Sequence, residues 1–261
     1  MTSMISSSLR AIVTLRRAIV GLLLIVFPLG WLSAACTDPP APGVLWIGCD
    51  KHNADLKGAH LDHAVLSRSN FAGADLDDAE LVGADLSFSR LAEAHLNGAR
   101  LSSAKLVGAD LRRATLTGAR LDRARLDRAE LEAAGLERAH MEGASLYDAK
   151  ARKIRLTDAI LDGANLEQAD LREADLTKAS LRNANLVQCN LKGARLSGAV
   201  LEKARLDRAL LAGADFTTAD LSRATFAGAD LTGALLEGAH LDNATWLDRH
   251  RCKPGAVGEC P

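Results

Sequence analysis

The chain has 261 residues, 48% of them apolar and 25% charged, which excludes a disordered polymer. Its 32 Lys and Arg against 33 Asp and Glu leave a formal net charge of −1, which argues against a general polyanion binder and against an acidic nucleic-acid mimic. Aromatic residues are only 3%, too few for a stacking platform on single-stranded nucleic acid, so the apolar mass lies in Leu and Ala.

Residues 1–17 carry Arg10, Arg16 and Arg17 and no acid. An apolar run of 15 residues follows, Ala18 to Leu32, and Ser33-Ala34-Ala35 then sets small residues at −3 and −1 of a cut before Cys36. This is the layout of a secretory signal peptide over residues 1–35, so a periplasmic or secreted bacterial protein is expected. The run is short for a spanning helix, and Pro28 interrupts it. Lipidation of Cys36 is the second export route, although Leu32 stands four residues before it where the lipoprotein motif has Leu at three. A membrane enters only if Cys36 is lipidated or the leader is retained. The pair Arg16-Arg17 is too common in basic leaders to mark twin-arginine export. Residues 36–53 read as an N-terminal cap containing Cys36, Pro39-Pro40, Trp46 and Cys49.

From Ala54 the sequence repeats every five residues. The large residue of each unit, here its centre, runs from Leu56 to Trp246 through 39 units without insertion. Of these centres 33 are Leu, the others being Phe71, Met141, Ala151, Phe216, Phe226 and Trp246. Two residues before each centre is a small position, Ala in 35 units and otherwise Ser69, Ser89, Ile154 or Cys189. A step of five rotates a helical position by about 140°, which spirals the leucines around a helix and leaves no stripe to bury. A coiled coil, with its seam every 3.5 residues, fails for the same reason. In an extended segment the small position and the centre share one side, and the residue between them points out. The two residues after the centre then turn a corner. The second of these is repeatedly Gly, as at Gly58, Gly73 and Gly83, which suits the positive φ of a type II turn. Units with Arg, Lys or Glu there are expected to use other turns. Four sides close a square of 20 residues, and coils stacked at about 4.8 Å give a rod of about 47 Å with a solid hydrocarbon axis.

Units such as Ala74-Asp75-Leu76, Ala164-Asn165-Leu166 and Ala174-Asp175-Leu176 resemble those of the pentapeptide-repeat proteins, and the resemblance covers residues 54–248. It implies an all-β fold: a right-handed quadrilateral parallel β-helix, a solenoid here of about ten coils by the length of the repeat. Handedness comes from the resemblance alone. The family supports several activities, so the fold carries no function over. One unit departs from the pattern: Ala151 removes volume from a centre and Ile154 adds it to the next small position, read as a local exchange with slight distortion.

Residues 249–261 read as a C-terminal tail. Each end of the repeat thus carries two cysteines, as do secreted bacterial members of the same group. In an oxidising compartment the expected pairing is Cys36 with Cys49 and Cys252 with Cys260, which leaves Cys189 buried and inert. Trp46 and Trp246 are expected to cover the terminal leucines. The cysteine spacings lack the close pairs of structural zinc sites. His52, His60 and His63 lie near Cys49 in sequence and are read as solvated corner residues, so neither a metal nor a cofactor is expected.

Residues 20 apart stack into columns. One reads Arg112, Glu132, Arg152, Arg172, Lys192, and another Asp122, Glu142, Asp162, Arg182, Glu202. Residues 100–155 hold 13 bases and 8 acids, whereas residues 54–93 hold 8 acids and 3 bases. A soluble rod with cross-coil charge pairing accounts for this. The functional alternative is a basic belt of Arg112, Arg152, Arg172 and Lys192 that docks an acidic protein or an anionic envelope component such as a glycan or lipid headgroup. No nucleic acid is expected, since no aromatics interleave the bases. No hydrolase, zinc-protease, phosphate-loop or dinucleotide motif appears, so the chain is not expected to be an enzyme. Two readings follow: an exported scaffold of the cell envelope that self-associates through its end coils, or a cytosolic DNA mimic that protects or inhibits a type II topoisomerase. The second uses a strongly acidic rod, which this chain is not.

Overall fold

The computed structural model describes residues 36–261; the leader reading falls on residues 1–35, outside the described residues. From Leu45 to Thr225, each fifth residue pairs in parallel with the residue 20 positions on: Leu45 with Val65, Asp50 with Asn70, Asp55 with Asp75, His60 with Glu80, and so to Thr225 with Thr245. Four sides result. The outward residues of the first run from Leu45 to Thr245, of the second from Asp50 to Asp230, of the third from Asp55 to Leu235, and of the fourth from His60 to His240. The fold is a right-handed quadrilateral β-helix.

Each unit places its backbone donors in the same way. The outward residue donates to the preceding coil (Asp75 N to Ala54 O, 2.9 Å), and the centre donates to the following one (Leu56 N to Asp75 O, 2.8 Å). The second corner residue also donates forward (Gly58 N to Asp77 O, 2.8 Å). The small residue closes the corner by donating three residues back (Ala59 N to Leu56 O, 3.0 Å). This scheme corrects the expectation for corners without Gly. From Asn53 to Asn243 every second corner residue has positive φ, and the 25 that are not Gly lie between 52° and 62°. The forward bond is the reason: Arg113 N still reaches Glu132 O at 3.0 Å, as Gly108 N reaches Asp127 O at 2.9 Å. Another turn type would break that bond and the register of the next coil. The left-handed conformation costs roughly 1–2 kcal/mol, which the stacked corner outweighs.

Centres and small positions line the axis, and nearly all are fully buried. The two serines at small positions are satisfied there. Ser69 Oγ donates to Trp46 O and accepts from Cys49 N (3.0 Å), and Ser89 Oγ donates to Leu86 O (2.6 Å). Ala151 and Ile154 are also fully buried. The expected distortion at this exchange is absent. Lys150 and Arg155 keep their cross-coil pairing, and Ile154 N lies 3.2 Å from Ala151 O, close to the 3.1 Å at Ala149 and 3.0 Å at Ala159.

The coil register runs back into residues 41–53, so Trp46 and Lys51 occupy centre positions of the first coil. Trp46 is fully buried, its ring 6.5 Å from that of Phe71. Lys51 Nζ lies 3.8 Å from the centroid of the Trp46 ring, so a cation ends the hydrocarbon axis. Cys36 is bonded to Cys49. At the other end the tail folds back in antiparallel pairing, Arg251 against Thr245 and Val257 against His240, and Cys252 is bonded to Cys260. Trp246, partly buried, packs 5.5 Å from Phe226.

Candidate functional site

One backbone donor per unit finds no partner in the coil scheme: the N–H of the first corner residue. The outward residue two positions before it supplies the acceptor when it is Asp or Asn. Asp75 Oδ1 accepts from Asp77 N (3.0 Å), Asp215 Oδ1 from Thr217 N (2.9 Å) and Asn165 Oδ1 from Glu167 N (3.2 Å). Where the first corner residue is Thr, its hydroxyl adds a second bond to the same oxygen, 2.6 Å at Thr177, Thr217 and Thr232. The Ser197 hydroxyl, which donates to Asp215 Oδ2 (2.6 Å), and after it the Thr217 donors hold the Asp215 carboxyl below the usual carboxylate range, and the Thr232 donors do the same for Asp230. The recurring Asp and Asn of the repeat are therefore corner braces. The signal was present in the sequence as Asp or Asn before the centre, and alternation alone did not say why a short carboxyl or amide was needed there.

The predicted belt lies on one corner, between the second and third sides. Arg112, Arg152, Arg172 and Lys192 all occupy first corner positions of that column. Three of the four are engaged by the chain itself. Arg112 forks onto Asp110 through Nε (2.8 Å) and Nη2 (2.7 Å), and Arg172 onto Asp170 at 2.8 and 2.6 Å. Arg152 binds Glu173, which also faces Lys153 at 3.6 Å. Arg113 faces Glu93 at 3.3 Å. The arginine hydrogen bonds draw the carboxyls of Asp110, Asp170 and Glu173 down, and the same pairs push the Arg112 and Arg172 guanidinium groups up. Lys192 has no carboxylate within 4.0 Å among the described residues. A shallow groove of about 460 Å³ follows this corner, lined by Glu93, Arg112, Arg113, Glu132 and Lys153 between Ala92 and Ala133. It offers both signs of charge.

The axis offers no chemistry. Its one free thiol among the described residues, Cys189, is fully buried, and burial pushes its pKa up so that it stays protonated. The N-terminal histidines do not converge: His52 turns to Asp50 (2.9 Å) and His60 to Glu80 (2.7 Å). Among the described residues, metal-capable atoms gather in one place, at the C-terminal disulfide. There His250 Nε2 comes within 3.1 Å of Cys260 Sγ. Neither spacing nor composition singles out His250, because it is the backfolding of the tail that brings it to Cys260.

Eight copies of the pentapeptide-repeat family model match between residues 52 and 245. No curated protein matches the chain. Among solved structures, HetL is a pentapeptide-repeat protein involved in heterocyst differentiation regulation in the cyanobacterium Nostoc sp. strain PCC 7120. It is 32% identical over 80% of this chain and 90% of its own, with a TM-score of 0.30. QnrB1, a plasmid-mediated fluoroquinolone resistance protein, is 20% identical over 78% of this chain and 91% of its own, with a TM-score of 0.38. A pentapeptide-repeat protein of the Arabidopsis thaliana thylakoid lumen is 33% identical over 44% of this chain and 67% of its own, with a TM-score of 0.21.

Proposed function

Since this chain belongs to the pentapeptide-repeat family, we propose that it acts without chemistry of its own, as an exported scaffold of the bacterial cell envelope that presents its charged corner to a protein partner. The observation that carries this reading is the disulfide at each end of a buried hydrocarbon axis. Two such bonds, with the remaining thiol shut inside, suit an oxidising compartment. Pairing with Cys49 also leaves Cys36 no thiol to acylate, which supports release after removal of residues 1–35 over lipid anchoring. The groove along the corner supports a protein partner, because the Arg112 and Arg172 forks already occupy the bidentate edge that an outside anion would bind.

Mass spectrometry of the intact chain from an envelope fraction, without reduction, tests the export reading. The expected species begins at Cys36, lacks an acyl group and has one free thiol. A full-length cytosolic chain with five free thiols overturns it.

A further inference from the structure

The C-terminal clasp holds more than a disulfide. Asp248, His250, Cys252 and Cys260 meet where the tail turns back onto the last coil. The His250 backbone N–H and ring Nδ1 both face Asp248 Oδ1, at 3.2 and 2.5 Å. The other ring nitrogen, Nε2, points at Cys260 Sγ at 3.1 Å. The donor atoms of His250, Cys252 and Cys260 all lie within 4.8 Å of one another. A carboxylate on Nδ1 fixes the ring and leaves Nε2 as the free donor, which is how histidines that bind metals are commonly oriented. No third donor of this kind joins Cys36 and Cys49 among the described residues.

We propose that, once its disulfide is reduced, this clasp is a site for a thiolate-preferring divalent cation such as zinc, with Cys252, Cys260 and His250 as ligands and Asp248 behind the histidine. A dithiol supplies the two electrons. The Cys252–Cys260 bond breaks, the two thiol hydrogens of the reductant pass to the two sulfurs, and the reductant is left as its own disulfide. The cation then displaces both protons and binds two thiolates and the neutral imidazole, with a water completing a tetrahedron. Bond lengths of about 2.3 Å to sulfur and 2.0 Å to nitrogen place neighbouring ligands roughly 3.5 Å apart. The imidazole is already near that separation from Cys260, and the sulfurs must part. His250 and Cys260 are accessible, whereas Cys252 is buried under the tail, so reductant and cation enter from the Cys260 side. Either closure ties residue 252 to residue 260, so the strap over the last coil is retained in both redox states.

Cobalt(II) added to the full chain, after anaerobic reduction and removal of the reductant, tests this. One cobalt per chain is expected, with a sulfur-to-cobalt charge-transfer band and tetrahedral visible bands, both abolished by zinc. The unreduced chain should show neither band. His250→Ala should weaken cobalt binding at least tenfold, and Asp248→Asn by about tenfold while preserving the tail. If His250→Ala alters the circular dichroism spectrum, the Asp248→Asn comparison decides. Absence of the charge-transfer band in the reduced chain, or unchanged affinity in the deciding variant, overturns the proposal.

Discussion

At Thr218 a β-branched residue is held at φ 57°, a region such side chains avoid, because its N–H must reach Glu237 O (2.9 Å) in the next coil. Removing the side chain relieves that conformation, less the extra entropy a glycine loses on folding. Thr218→Gly should therefore raise stability by about 0.5–1 kcal/mol. Gly213→Ala, at φ +68° with open space around its Cβ, should lose a comparable amount. Guanidinium midpoints of the two variants check this, and a loss at both positions would refute it. The exchange at Ala151 and Ile154 is a second case. Ile154→Ala alone empties a filled site, at about 2–4 kcal/mol. Ala151→Leu alone crowds the axis, at about 1–3 kcal/mol. On the volume-exchange reading, the double variant should recover more than about 1 kcal/mol of the summed loss. Simple additivity in a double-mutant cycle would show that the volumes are separate.

Within a coil, the sides were legible in the sequence and the corners only in part. A stride of five with Leu and Ala at fixed places left one way to bury the leucines, so the sides, the axis and the 20-residue register followed from periodicity. The corner conformation did not follow, because local preference would send Arg113 or Lys153 away from positive φ, and only the hydrogen bond to the next coil overrides it. The belt was legible as a column of bases, but the forks of Arg112 onto Asp110 and of Arg172 onto Asp170 depend on rotamers that a sequence does not state. These forks make a pH prediction. Asp170 is held below its ordinary value mainly by the side-chain hydrogen bond from Arg172. A carboxyl depressed in the fold contributes stability above its unfolded value of about 3.9, and loses it as pH falls through the folded value. Arg172→Met should therefore lower the urea midpoint at neutral pH, and its gap to the parent should close below about pH 4. A gap constant from pH 7 to pH 2 would show that Arg172 acts by packing alone.

The two ends of the whole rod differ in how they close. The first coil ends in Trp46 under the Lys51 ammonium, which blocks continued stacking with a charge. The last coil is only half covered: the tail pairs with its first and fourth sides through Thr245 and His240, and leaves the second and third without a following strand. The N–H groups of Leu231, Gly233, Leu236 and Gly238, which in earlier coils would donate forward, have no backbone acceptor among the described residues. Leu235 beside them is 57% exposed, and Leu231 and Leu236 are only partly buried. An open edge with an apolar rim recruits another edge, and a two-fold pairing of two such ends is the closed solution that does not grow into a fibre. Half of one coil end presents far less than the roughly 800 Å² per partner of a standard interface, so the association should be weak and the rod should populate monomer and dimer together. Sedimentation velocity over a concentration series should show this mixture. Leu235→Lys, which sets a charge on the open rim and leaves the axis untouched, should shift the chain to monomer at every concentration. The same substitution at the opposite end, Ile47→Lys, should leave the equilibrium where it was. A parent chain that sediments as a monomer throughout, or a dimer sensitive to Ile47 and not to Leu235, would place the contact elsewhere and leave the open C-terminal edge protected by some other means.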